Sequence, residues 1–309
     1  MPEDRLLEAR HLARHYGGRE AVSDVNLHVN RGEVLGLLGL NGAGKTTTLR
    51  MLCGTLAPSA GEIRLCGIDL LESPIMAKRQ LGYLPEIPPL YPDTRVREYL
   101  HYAATLRRVP RRDRRVAVDA ALEATGLADV AHRLIRNLSK GYQQRVGIAQ
   151  AVVHSPALVV LDEPTAGLDP QQVQDIRKLI QRLQRDRAVI FSSHILGEVQ
   201  ALCDRVVILH QGRQVYAGAP QGGESRVTRS FSLRFRSSPP LEVMAVVPGV
   251  EVTERLSNGY RIEIGLDSAL DALVALSVEE GWGLVELTEV RPTLEQVFLE
   301  VTTGRVEAA

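Results

Sequence analysis

The sequence lacks an excess of either charge: Lys and Arg number 37, and so do Asp and Glu, in 309 residues. A surface built throughout to hold nucleic acid or anionic lipid is basic, so that class is excluded for the chain as a whole, while a local patch stays open. Aromatics are scarce at 4%, with one Trp. Cysteine is scarcer. Cys53, Cys66 and Cys203 are odd in number and widely spaced. They fit neither a disulfide framework nor a zinc pattern and read as reduced thiols of a cytoplasmic protein. No run of 18 or more apolar residues exists, so the chain is not expected to cross a bilayer. The start, MPEDRLLEAR, is charged where a secretory leader needs an apolar segment. What remains is ordinary globular composition, 44% hydrophobic and 24% charged. That is enough apolar surface for a core, over a length suited to about two domains.

The two parts differ. Up to residue 220, short apolar runs alternate with amphipathic stretches. The runs are Val34–Gly39, Leu158–Asp162, Ala188–Ser192, Arg205–Leu209 and Arg213–Tyr216, and Pro170–Arg185 is helical in pattern. Strand–helix alternation predicts a largely parallel sheet with helices on its faces. The segment Ala217–Arg226, rich in Gly, Pro and Ser, is the expected linker. Residues 221–309 then read as a separate α+β module. Strand Ser230–Arg236 leads to helix Leu241–Val247. A hairpin, Val250–Leu256 and Tyr260–Leu266, turns at Ser257-Asn258-Gly259. Helix Ser268–Glu280 has Ser268 as N-cap, strand Gly283–Val290 follows, and Pro292–Val301 closes as a helix. The order β-α-β-β-α-β is that of a ferredoxin-like fold.

Gly39, Asn41, Gly42, Gly44, Lys45 and Thr46 fall in the pattern G-x-x-x-x-G-K-[ST], after the strand Val34–Leu38 and before a helical stretch that opens at Thr47. Glycines let backbone N–H groups face phosphate oxygens, and the helix N-terminus adds partial positive charge. Lys45 reaches the β- and γ-phosphates, and the Thr46 hydroxyl is a ligand for Mg²⁺. A second apolar strand ends in Asp162 and Glu163. Asp162 can hold the same Mg²⁺, and Glu163 can polarise a water for in-line attack on the γ-phosphate. His194, following the strand Ala188–Phe191, is the one histidine of eight placed where ligands bind in open α/β sheets.

These motifs, with Leu138-Ser139-Lys140-Gly141-Tyr142-Gln143-Gln144-Arg145 between them, resemble the ABC ATPases. The octapeptide looks like that family's LSGGQ-type signature, with Lys140 where Gly is usual. Gly167-Leu168-Asp169-Pro170 resembles the D-loop, His194 the switch histidine, and Tyr16 the aromatic that stacks on adenine. The resemblance covers residues 5 to about 220. It implies a P-loop NTPase fold with a helical subdomain, an ATPase using ATP and Mg²⁺, and two cassettes closing head to tail. In that closed pair Ser139 and Gly141 touch the γ-phosphate bound by the other subunit, and Asp169 of the D-loop belongs to the nucleotide-binding residues. A departure is Glu86, after Leu81-Gly82-Tyr83-Leu84-Pro85, where the family usually has Gln. A carboxylate there can ligate Mg²⁺ or orient water but adds negative charge beside the phosphates.

The stretch from Gly82 to Pro92, together with Arg291-Pro292-Thr293-Leu294-Glu295-Gln296-Val297-Phe298-Leu299, is similar to ATPase subunits of ABC-2-type exporters of the gliding-motility and drug-resistance subgroups. That similarity implies a separate integral-membrane permease, a homodimer or heterodimer of ATPase subunits, and a place on the inner face of the cell membrane. Arg107, Arg108, Arg111, Arg112, Arg114 and Arg115 cluster around Pro110. They read as a solvated loop, with contact to lipid headgroups or to the permease as the sharper alternative. Nucleic acid is not expected, since no aromatic stacking pattern accompanies them.

Overall fold

The computed structural model describes residues 5–220, 229–237, 239–244, 247–264, 267–290, 294–295 and 298–299. It divides into two compact units, Met1–Pro220 with Phe298–Ala309, and Gln221–Val297.

In the first unit the strands are β1 (Arg5–Tyr16), β2 (Arg19–Asn30), β3 (Val34–Leu38), β4 (Ala60–Leu65), β5 (Ile68–Asp69), β6 (Leu81–Leu84), β7 (Leu158–Leu161), β8 (Ala188–Ser193), β9 (Arg205–His210) and β10 (Arg213–Gly218). The helices are α1 (Lys45–Leu52), α2 (Pro74–Arg79), α3 (Val96–Leu106), α4 (Arg114–Ala124), α5 (Lys140–Val152), α6 (Pro170–Gln184) and α7 (Leu196–Leu202). One sheet runs β5-β4-β1-β2-β10-β9-β3-β8-β7-β6. Its centre, β9-β3-β8-β7-β6, is parallel. β3, β7 and β8 are buried at every residue, which is why they read as continuous apolar runs rather than alternating ones.

The other edge, β5-β4-β1-β2, is an antiparallel wing that the sequence reading did not anticipate. Register shifts interrupt β1 against both neighbours, and His11 and Asp24 hold φ of 51° and 49°. Such bulges break the two-residue alternation from which strands are recognised. The wing joins the core where β10 runs parallel to β2, with Arg213 opposite Ser23.

Helices α3, α4 and α5 form a subdomain, α3 and α4 joined by the ion pair Arg97–Asp119. Buried leucines, valines and isoleucines of the wing and the parallel strands share one core. Cys53 and Cys203 are buried free thiols and Cys66 is half-buried. Burial pushes the Cys53 and Cys203 thiols well up, which keeps them protonated.

The second unit contains β11 (Arg229–Phe235), α8 (Leu241–Met244), β12 (Val250–Leu256), β13 (Gly259–Ile264), α9 (Asp267–Glu279) and β14 (Leu284–Val290). Its sheet order is β12-β13-β11-β14, antiparallel throughout, which with β-α-β-β-α-β connectivity is the ferredoxin-like arrangement. Helix α9 starts at Asp267, so Ser268 lies inside the first turn and is not its N-cap. Residues 265–266, the end of the expected second hairpin strand, lie outside the described residues. So does most of the expected closing helix Pro292–Val301, within which 294–295 and 298–299 are helical. Trp282 packs edge-on against Phe235, ring centroids 6.0 Å apart, in this unit's own core.

Candidate active site

The strand β3 ends at Leu38 and the chain turns over Gly39–Gly44 into α1. Gly44 holds φ of +102°, and a Cβ there would lie 3.0 Å from the Ala21 carbonyl oxygen. Only glycine takes that turn without strain. Helix α1 has no acidic residue in its first turn, so nothing of its own offsets the positive end of its dipole. Its first residue, Lys45, is 6% exposed, and its Nζ donates to the Gly39 carbonyl at 2.7 Å.

The neighbouring strands β7 and β8 end beside this turn. Asp162 is fully buried and Glu163 is 8% exposed. One Glu163 oxygen, Oε1, lies 3.2 Å from Lys45 Nζ, and the other, Oε2, lies 2.9 Å from His194 Nδ1. The backbone of Glu163 is in the left-handed region at φ 47°. Ser192, at the end of β8, fixes both carboxylates. Its hydroxyl donates to Asp162 Oδ1 at 2.7 Å and accepts from the Glu163 N–H at 2.9 Å. Thr46 Oγ1 also donates to Asp162 Oδ1, at 3.3 Å. The second oxygen, Asp162 Oδ2, is buried with no hydrogen-bond partner. Burial raises the Asp162 pKa above its ordinary value, opposed by the hydrogen bonds from Ser192 and Thr46.

These groups open onto a cleft of about 890 Å³. Of the residues singled out in the sequence, Tyr16, Asn41, Gly42, Gly44, Lys45, Thr46, Thr47, Glu86, Glu163 and His194 line it. Gly39 and Asp162 touch it through Lys45 and Thr46. Arg19, Glu20 and Ala21 of the wing, and Gln211, line it too and were not foreseen. They sit at the ends of strands whose proximity to the phosphate loop exists only once the sheet is ordered. Ser192 was also missed as a site residue, although it directly precedes Ser193-His194 in the motif.

Ser139, Gly141 and Asp169 lie outside this cleft. Ser139 caps α5, its oxygen accepting from the Tyr142 N–H at 3.4 Å, and Asp169 caps α6, accepting from the Gln172 N–H at 2.9 Å. Gly141 faces the same turn of α6: a Cβ there would meet the Gln172 side chain at 2.7 Å. Arg145 of α5 pairs with Asp175 of α6 at 2.6 Å. The two caps are therefore held together within one chain. A fourth buried group, Glu198, accepts from the Thr165 and Ser193 hydroxyls at 2.8 Å each and ties the loops after β7 and β8 to α7.

A parallel α/β core, a glycine turn feeding a helix N-terminus, an adjacent Lys, and a strand-end carboxylate pair define a P-loop nucleoside triphosphatase. The ABC transporter family profile matches residues 22–166. The bacitracin transport ATP-binding protein BcrA of Bacillus licheniformis is 38% identical over 97% of this chain and 98% of its own. The Nod factor export ATP-binding protein I of Paraburkholderia xenovorans is 38% identical over 71% of this chain and 72% of its own. A solved structure described as the ATP-binding subunit of an ABC transporter superposes with a TM-score of 0.63 at 33% identity, covering 69% of this chain and 90% of that one. The chain belongs to the ATP-binding subunits of ABC transporters, and it is an ATPase. Among the described residues no helix is long and apolar enough to cross a membrane.

Proposed function

We propose that this subunit hydrolyses ATP to drive an ABC-2-type exporter, whose permease is a separate integral-membrane chain. The observation that carries the chemistry is the Lys45–Glu163–His194 chain in one cleft, with Asp162 one residue away. Lys45 leaves Glu163 for the β- and γ-phosphates when ATP enters, and Tyr16, half exposed at the cleft's edge, stacks on adenine. Backbone N–H groups from Asn41 to Thr47 face the phosphate oxygens. Glu163, released from Lys45, accepts a proton from water as the water oxygen bonds the γ-phosphorus and the bond to the bridging β–γ oxygen breaks, giving ADP and phosphate. His194 holds the other Glu163 oxygen and so fixes the carboxylate's direction.

The unpartnered, buried Asp162 Oδ2 beside the Thr46 hydroxyl suits Mg²⁺, which prefers hard oxygen donors. Thr46 and Asp162 would hold it, with Glu86 in reach of the same cleft. When bound, Mg²⁺ neutralises charge on the transferring phosphate.

Ser139, Gly141 and Asp169, turned away from their own cleft, serve the nucleotide of a second subunit, in a homodimer or with a related ATPase. Closure of that pair moves the permease. The subunit works at the inner face of the cell membrane without nucleic acid, and the second unit is an accessory domain. Two relatives, the bacitracin transport protein and the Nod factor export protein, support an export role. Purification of Glu163→Gln protein from host membranes with ATP and Mg²⁺ tests this. A multi-spanning protein recovered in stoichiometric amount is expected. Recovery of ribosomes or DNA with no membrane protein would refute the exporter reading.

A further inference from the structure

The arginine-rich stretch around Pro110 does not remain one solvated patch. Arg112 approaches Asp113 at 3.6 Å, Arg115 approaches Asp119 at 3.9 Å, and Arg114 Nε donates to the Val109 carbonyl at 2.9 Å. Arg107 and Arg108 instead line a cavity of about 460 Å³, and Arg79, from the end of α2, joins them there. The cavity shares no lining residue with the nucleotide cleft. Its size is that of a small-molecule site.

The charge inside it is unbalanced. Among the described residues, Arg79, Arg107 and Arg108 have no carboxylate within ion-pair distance. The one acid on the wall, Asp113, lies beside Arg112. Arg107 Nη1 reaches only the Lys78 and Leu81 carbonyls, each at 3.4 Å, and burial disfavours its charge. A half-buried cation without a counter-ion is costly and gains most from an anion.

His154 lines the same cavity. His154 Nε2 donates to the Leu81 carbonyl at 3.1 Å, which leaves Nδ1 as the lone-pair nitrogen. That Nδ1 is buried with no hydrogen-bond partner. It is closed to a water-sized group, so it senses charge in the cavity without offering a ligand a hydrogen bond. Val109, Val116 and Val153 furnish an apolar wall. Arg108 and Ser155, on the rim, hold φ of 61° and 51°, so the rim is kept in a strained backbone form. Guanidinium forks match phosphate oxygens in pairs.

We propose that this cavity is a binding site for a phosphate ester, the phosphate held by Arg79, Arg107 and Arg108 beside His154. Two sources share that chemistry, the headgroup of a glycerophospholipid and a soluble polyol phosphate.

The test uses the full chain in phosphate-free buffer. Glycerol 3-phosphate is titrated while the His154 ring nitrogens are followed by NMR, and flotation is measured with vesicles containing phosphatidylglycerol against phosphatidylcholine alone. Arg79→Ala/Arg108→Ala removes two exposed guanidiniums outside the nucleotide cleft, so basal ATPase activity is expected unchanged and reports an intact fold. Arg79→Gln alone serves as the milder variant, with a partial loss. A His154 shift with glycerol 3-phosphate, weakened at least about tenfold in the double variant, supports the site with a soluble ligand. Flotation that requires phosphatidylglycerol and is lost in the double variant supports it with a lipid ligand. No His154 response together with no phosphatidylglycerol-dependent flotation overturns the proposal. So does binding of either probe that the double variant leaves unchanged, or capture of an acidic peptide when neither phosphate probe binds.

Discussion

Ser192→Ala is the most informative single change. The hydroxyl it deletes is fully buried and makes two bonds, one to Asp162 Oδ1 at 2.7 Å and one from the Glu163 N–H at 2.9 Å. Alanine leaves the N–H without an acceptor and leaves Oδ1 with only the longer Thr46 contact of 3.3 Å. A buried N–H left unpaired costs about 1–3 kcal/mol, and stability should fall by about that much. A further effect concerns the base. Glu163 sits at φ 47°, a conformation that costs a non-glycine residue about 1–2 kcal/mol and that the Ser192 bond offsets. Without it the backbone relaxes and the carboxylate leaves its line between Lys45 and His194. A misplacement worth about 1.4 kcal/mol in the transition state is a tenfold fall in kcat. KM for ATP should change little, because the phosphate loop is untouched. Urea denaturation gives the stability, and phosphate release over a range of ATP concentrations separates kcat from KM. Stability within about 0.5 kcal/mol of wild type with kcat within about twofold would refute the reasoning. A raised KM at unchanged kcat would refute it equally, since Ser192 would then serve binding rather than the base.

Other perturbations have equally definite outcomes. Gly44→Ala places a Cβ 3.0 Å from the Ala21 carbonyl oxygen at φ +102°, and should cost at least about 1–2 kcal/mol and weaken ATP binding; isothermal titration with unchanged affinity would contradict the turn geometry. Glu198→Ala strands the Thr165 and Ser193 hydroxyls and should destabilise by about 2–4 kcal/mol, whereas Glu198→Gln keeps an acceptor and should recover most of it; equal losses in thermal unfolding would argue against the hydroxyl network. Burial, with the Arg107 charge adding to it, lowers the His154 pKa from 6.5 to about 4. As pH falls below 6.5 the unfolded chain takes up this proton and the folded chain does not, so stability should drop with a slope of at most about 1.4 kcal/mol per pH unit until pH approaches 4. His154→Gln should remove that contribution, and parallel wild-type and variant profiles between these limits would exclude it.

The parallel core and its phosphate loop are legible because their signals are local. β3, β7 and β8 are short apolar runs, and Gly39 to Thr46 is one contiguous motif beside a strand. The wing was illegible because bulges near His11 and Asp24 blur its alternation. Lys45, Glu163 and His194 could each be singled out from the sequence, but not the fact that Lys45 and His194 grip opposite oxygens of one carboxylate. Ser192 looked like the tail of an apolar strand; its role depends on the pairing of β7 with β8. Arg79 is far in sequence from Arg107 and Arg108, so their shared cavity was invisible as well.

The junction between wing and core has a mechanical consequence. β10 and β2 meet through one registered pair, Arg213 opposite Ser23, reinforced by the Ser23 N–H to the Gly212 carbonyl at 2.8 Å. Tyr16, Arg19, Glu20 and Ala21 lie on the wing side of the cleft, and Lys45, Glu163 and His194 on the core side. A nucleotide seated there adds one more bridge to a seam that the shared apolar core, the Asn26 N–H to Gln214 bond and the Arg205 bond to the His28 carbonyl already hold. ATP should then act as a clasp as well as a fuel, its arrival stiffening the wing and its departure loosening it. Amide exchange along β1 and β2 should register that cycle as slowing and quickening, even in a subunit with no second copy to close against.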